Sequence, residues 1–239
     1  MRRAGAVVAL ALALGGCLPS GRDFVRPTPM TFRLGESSLA DVTRMYGEPA
    51  DQRAWARSDR LLVEPPAPVP TPFGSASVGG SMRELHYQYA WRLGESATGG
   101  VLPTRTMRLW FWNDKLVGYR AVSSFKADVT GFDEAKVAAL TAWKSLRSDV
   151  TDLLGPPSGL AGYPMARLPD QQILIYQAFE FDTSRSETRA KVLYVLVNAL
   201  GVVEDTRFDS SAEPIPPAPA TGGGGVTPIF IPQPKSRSR

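Results

Sequence analysis

Two stretches of the chain share one hydrophobic pattern, set in the same punctuation. Ser37-Ser-Leu-Ala-Asp-Val-Thr-Arg-Met-Tyr-Gly-Glu-Pro49 recurs in register as Ser145-Leu-Arg-Ser-Asp-Val-Thr-Asp-Leu-Leu-Gly-Pro-Pro157. Val42, Met45 and Tyr46, and then Val150, Leu153 and Leu154, fall at helical spacing. Ser37 or Ser38 in one copy and Ser145 in the other are natural N-caps, because a short hydroxyl can satisfy an orphan amide of the first turn. Gly47 and Gly155 sit where a left-handed C-cap carries no Cβ penalty, and Pro49 and Pro157 forbid continuation. Each helix is therefore expected to be short and to need a sheet beneath it.

Each copy is followed by an aromatic strand, Leu85 to Tyr89 and Ile173 to Gln177, and both contain Tyr-Gln. A stronger strand, a turn with asparagine (Asn113, Asn198) and another strand come next. Within Met107 to Trp112, alternation sends Met107, Leu109 and Phe111 to one face and Arg108, Trp110 and Trp112 to the other. Both faces are then largely apolar, and the Trp-Arg stripe fits either a seam between modules or a contact for a foreign partner. In the second copy, Asp133 to Leu140 reads as an extra leading helix capped by Asp133.

Internal repetition organises the chain. The expected fold class is α+β, with two tandem modules, each made of short helices packed on a three- to four-stranded antiparallel sheet. The first module spans 31–127 and carries a Pro/Gly-rich insertion at 64–82, expected to be disordered or extended. The second spans 131–210. Residues 17–30 read as a tether and 211–239 as a Pro/Gly-rich tail without a fold. The apolar triplet Ile229-Phe230-Ile231 inside that tail either is incidental or adds a strand to a partner.

The N-terminus carries a different pattern. Arg2 and Arg3 precede an uncharged apolar run from Ala4 to Leu14, and small residues follow. This is the order of a signal peptide over residues 1–16. The run is too short for the roughly 20 residues of a membrane-spanning helix. Leu14-Gly15-Gly16-Cys17 looks like a lipobox, in which a thiol is alkylated with diacylglycerol before cleavage. Cys17 is the single cysteine in 239 residues, so no intramolecular disulfide competes for it. By the sorting rule that goes with lipoboxes, Leu18 implies the outer membrane, with the mature chain lipid-anchored on the periplasmic face.

Losing Arg2 and Arg3 leaves 25 basic against 23 acidic residues, a formal +2, from 27 and 23 in the full chain. That near-neutral balance does not resemble a nucleic-acid binder. The clustered bases Lys235, Arg237 and Arg239 read as a solvated tail with some attraction for anionic headgroups or cell-wall polymers. Catalytic material is sparse. His86 is the one histidine, so a His-based metal cluster cannot form, and a structural imidazole is the simpler reading. Gly222 to Gly225 follows no strand, and Asp133-Glu134 and Glu204-Asp205 fall at a cap and a strand end. No cofactor and no metal are expected, nor an enzymatic activity.

Lipobox, short capped helix, the Gly-x-Pro stop and an aromatic meander together resemble the SmpA/OmlA (BamE-like) family of outer-membrane lipoproteins. The matching residues are Ser38, Val42, Gly47 and Pro49, and again Ser145, Val150, Gly155 and Pro157. The tandem form is similar to the β-lactamase inhibitory protein-like fold, with paired modules and a concave sheet. The resemblance implies a non-enzymatic docking scaffold in cell-envelope (β-barrel) assembly or integrity. An inhibitor-like or ligand-binding periplasmic module using the concave face is the alternative. Candidate contact residues are Tyr87, Tyr89, Arg108, Trp110, Trp112, Tyr176 and Tyr194. The expected partners are an outer-membrane or periplasmic protein complex and the membrane itself, through the lipid on Cys17. The oligomeric state stays open.

Overall fold

Eight strands form one antiparallel sheet in which every strand pairs with its sequence neighbours. The computed structural model describes residues 21–57, 72–76, 78–90, 103–182 and 187–214. The signal peptide, Cys17, residues 64–71 and 77 of the 64–82 insertion and the tail from 215, with its Ile229-Phe230-Ile231 triplet and terminal bases, lie outside the described residues, while residues 80–82 of the expected disordered insertion open a strand, Gly80–Ala90. The strands are β1 (Asp51–Arg57), β2 (Gly80–Ala90), β3 (Thr104–Trp112), β4 (Lys115–Ser123), β5 (Gly159–Ala161), β6 (Gln172–Asp182), β7 (Glu187–Val197) and β8 (Val203–Pro214). Two α-helices, α1 (Leu39–Tyr46) and α2 (Arg147–Leu154), lie on one face. A 3-10 helix over Glu134–Ala139 leads into the second; Asp133 Oδ1 accepts from the Ala135 amide at 3.0 Å.

This corrects the expected architecture of two tandem helix-on-sheet modules. The unit is a single continuous sheet, and β5 makes it so. This strand follows the second Gly-x-Pro stop, and its three residues pair on both sides. Gly118 and Arg120 of β4 face Ala161 and Gly159, which in turn face Ile173 and Ile175 of β6. Its counterpart after the first stop, β1, lies at an edge of the sheet and has β2 as its one partner strand. Gly159 allows the close approach, because a Cβ there would sit 2.8 Å from Arg120 Cα. So short a strand lacks the run of alternation that marks a strand in sequence.

The main core fills the helix face. Val42 and Tyr46 of α1 and Val150 and Leu154 of α2 pack on Leu85, Tyr87, Leu109, Tyr119, Tyr176, Leu193 and Val195. A smaller cluster on the opposite face joins Met82, Trp110, Ile173, Ile175, Tyr194 and Leu196, with Met165 from the β5–β6 connection. Met165 lies against Gly118, where a side chain would collide with it. The sheet is therefore apolar on both sides of its middle strands.

The described part of the tether, residues 21–30, is not a free leash. Phe24 is buried against Tyr46 and Tyr87, with ring centroids 6.1 and 6.3 Å away. Asp23 pairs with Arg105 at 2.5 Å, and Arg105 is also held by Asp128 at 2.8 Å. Tyr119 donates its hydroxyl to the Thr28 carbonyl at 3.3 Å. At the other terminus, β8 runs to Pro214, past the 210 boundary read from composition. No described helix is long and apolar enough to cross a membrane.

Candidate functional site

The pleat divides the seven candidate contact residues between two faces. Tyr87, Tyr89 and Tyr176 lie in the helix-face core. Tyr87 and Tyr176 donate their hydroxyls to the carbonyls of Gly47 and Gly155, at 2.9 and 3.0 Å. Tyr89 stacks on Phe125, with centroids 5.7 Å apart. Arg108, Trp110, Trp112 and Tyr194 occupy the opposite face. Trp110 is 1% exposed, with its Nε1 buried and without a hydrogen-bond partner. Its ring is covered within the chain, so it does not offer the open surface expected of a docking residue. Tyr194 is also buried. Arg108 and Trp112 keep partial access to solvent.

Around Arg108 the register builds a polar row. His86, Arg108, Arg120 and Gly159 are successive cross-strand partners on β2 to β5. Arg108 Nη1 meets Glu84 Oε1 at 3.1 Å, and that carboxylate is nearly buried. Arg120 is buried, hydrogen-bonded to Tyr194, and lies over the Trp110 ring at 5.9 Å. Burial, reinforced by the Arg108 guanidinium, holds the His86 imidazole below its ordinary range, so it is neutral at pH 7. Burial likewise pushes Arg120 down from its usual value, while the Tyr194 phenol and Glu84 act in the other direction. A neutral imidazole, a cation at partial exposure and a half-exposed indole on rigid strands make a surface suited to recognising carboxylates and aromatic or aliphatic groups. Among the described residues no three His, Cys, Asp or Glu side chains gather to hold a metal.

The repeat motif residues build the framework. Ser38 caps α1 in a reciprocal box: its Oγ accepts from the Asp41 amide at 3.1 Å and its own amide donates to Asp41 Oδ2 at 3.0 Å. In the second copy the expected cap, Ser145, lies one residue too early. Leu146 is the N-cap, and its amide donates to Asp149 Oδ2 at 2.7 Å with no oxygen to return the bond. Ser145 Oγ instead accepts from Thr141, as Ser37 Oγ does from Arg33, both at 3.0 Å. Gly47 and Gly155 end their helices at φ 78 and 79° with extended ψ of −160 and −170°. That conformation belongs to glycine almost alone, and differs from the left-handed cap expected.

Equivalent hydrogen bonds join each helix start to the nearest hairpin. Gly35 and Trp143 donate to the carbonyls of Leu116 and Val203, each at 2.7 Å. Leu39 and Arg147 donate to Asp114 and Gly201, at 3.1 and 2.7 Å. In the first half this corner is polar: Gly35, Ser38 and a tight Asn113-Asp114 turn. In the second half the same places hold Trp143, Leu146 and a longer Asn198–Gly201 turn tipped by Leu200. These three are 67%, 45% and 84% exposed. Sequence reasoning passed over Trp143. Carrying the repeat register two residues upstream of Ser145 aligns it with Gly35 and would have exposed the mismatch.

No protein-family model matches the chain, so the SmpA/OmlA resemblance rests on the quoted residues. No curated protein matches it either. Among solved structures, the chain is similar to a putative beta-lactamase inhibitor protein from Streptococcus mutans, at 9% identity and a TM-score of 0.35, over 72% of this chain and 82% of that one.

Proposed function

We propose that the protein is a non-catalytic lipoprotein, anchored through Cys17 in the outer membrane and facing the periplasm, that docks an envelope protein complex. The observation behind this reading is the placing of Arg108. It stands beside neutral His86 and on the same face of β3 as Trp112, four residues on, a face that carries no α-helix, and it is fixed by hydrogen-bonded strands on both sides. Arginine and tryptophan on a rigid surface are the residue types that dominate protein contact energies. The apolar run, the small residues and the solitary thiol at residue 17 support the anchor.

The test is affinity capture from solubilised envelopes with the full lipidated chain and with an Arg108→Glu, Trp112→Ala variant. A defined envelope protein recovered by the wild type and lost with the variant supports the reading. Recovery of no envelope protein, even after cross-linking, overturns it. Mass spectrometry of the mature amino terminus tests the anchor separately.

A further inference from the structure

The two helix-start corners differ in a direction that costs local stability. Trp143 has φ 63°, where the equivalent Gly35 has φ 80°. Left-handed backbone is steric strain for a side chain with a Cβ, and tryptophan gains no local hydrogen bond there as asparagine would. Leu146 replaces a capping serine with a side chain that cannot cap. Leu200 tips a turn that is two residues in the first half and longer here. Strain, a missing cap and exposed apolar groups thus coincide at one corner, although the other corner shows that the fold is satisfied by Gly and Ser.

We propose that this corner is a membrane-contact site, with Trp143, Leu146 and Leu200 entering the headgroup region of an anionic phospholipid bilayer. Three side chains are far fewer than the roughly 20–30 residues per partner of a specific protein interface. A bilayer needs only a few apolar groups and a positive neighbour, and indole rings favour the headgroup level. Lys144 supplies that neighbour: it is exposed beside Trp143 and has no ion pair among the described residues, while the equivalent position of the first half carries Glu36. The Asp149 carboxylate is engaged by the Leu146 amide. This site is separate from the Arg108 surface and does not depend on lipid at Cys17.

The full chain with Cys17→Ser, which cannot be acylated, is mixed with vesicles of phosphatidylcholine doped with phosphatidylglycerol and sedimented. The expected result is binding that weakens at least about tenfold in Trp143→Gly and in Leu200→Ser, and weakens on vesicles of phosphatidylcholine alone. Trp143→Gly relieves strain, so lost binding cannot be ascribed to unfolding when its melting temperature is unchanged or higher. Absence of wild-type binding, undiminished binding by both variants, or equal binding to the two vesicle types overturns the proposal.

Discussion

The Tyr176 hydroxyl donates to the carbonyl oxygen of Gly155 at 3.0 Å, tying β6 to the end of α2. Tyr87 and Gly47 repeat the bond in the first half, at 2.9 Å. Either tyrosine changed to phenylalanine leaves a glycine carbonyl short of a donor, at a cost of about 1–3 kcal/mol. Urea denaturation of Tyr87→Phe and Tyr176→Phe checks this. A shift in midpoint at constant slope is expected.

The same tyrosines impose a limit at high pH. Burial pushes the Tyr87 phenol from 10 up to about 12, and pushes Tyr176 and Tyr119 up as well. A phenol whose proton is held more tightly when folded contributes stability that is complete below pH 10 and is lost as pH rises through the folded value. Stability should thus be flat on the neutral side and fall between about pH 10 and 12. Tyrosinate absorbance and circular dichroism, followed together, should change in one step. Ionisation well below unfolding would contradict it.

The two helix starts predict opposite responses. Ser38→Ala removes a cap and should cost about 1 kcal/mol, whereas Leu146→Ser supplies one and should gain roughly 0.5–1 kcal/mol. Thermal melts of both variants decide the matter, since about 1 kcal/mol moves the midpoint of a protein this size by roughly 2–4 °C.

Trp143→Gly should raise stability by about 1 kcal/mol, the left-handed strain of a residue with a Cβ. Trp143→Ala keeps the Cβ and should gain nothing, so calorimetry on the pair separates backbone strain from loss of the indole.

Because β5 joins β4 to β6, calorimetry should show one transition with equal calorimetric and van't Hoff enthalpies. Gly159→Ala places a methyl within 2.8 Å of Arg120 Cα and should lower the midpoint by pushing the strands apart. Two resolved transitions in the wild type would mean that the halves melt independently.

Much of the framework was legible because the repeat marks its own boundaries. The two helices, their glycine stops and the asparagine turns follow from residues with few alternatives, such as Gly155 at positive φ. The single sheet was hidden because β5 is three residues long and its key residue, Gly159, has no side chain to pattern. Alternation placed Trp110 opposite Phe111, but the cluster in which Trp110 is buried also takes in Met165, from a connection with no regular pattern of its own. Burial of that kind is a tertiary fact, set by residues 55 positions apart in the chain. The Trp143 corner was encoded in the alignment of the two copies, as a departure from the shared pattern.

The docked segment at Phe24 also fixes how far the body can stray from residue 17, the proposed point of anchorage. Gly21 already lies against the backbone of Gln88, at a distance of 3.1 Å for an added Cβ to the Gln88 carbonyl carbon. Four residue steps separate it from Cys17, a reach of about 14 Å when fully stretched. If that thiol carries the proposed lipid, the body would be moored to the headgroups on a short rope, and partners set in or against the membrane would be the ones within easiest reach.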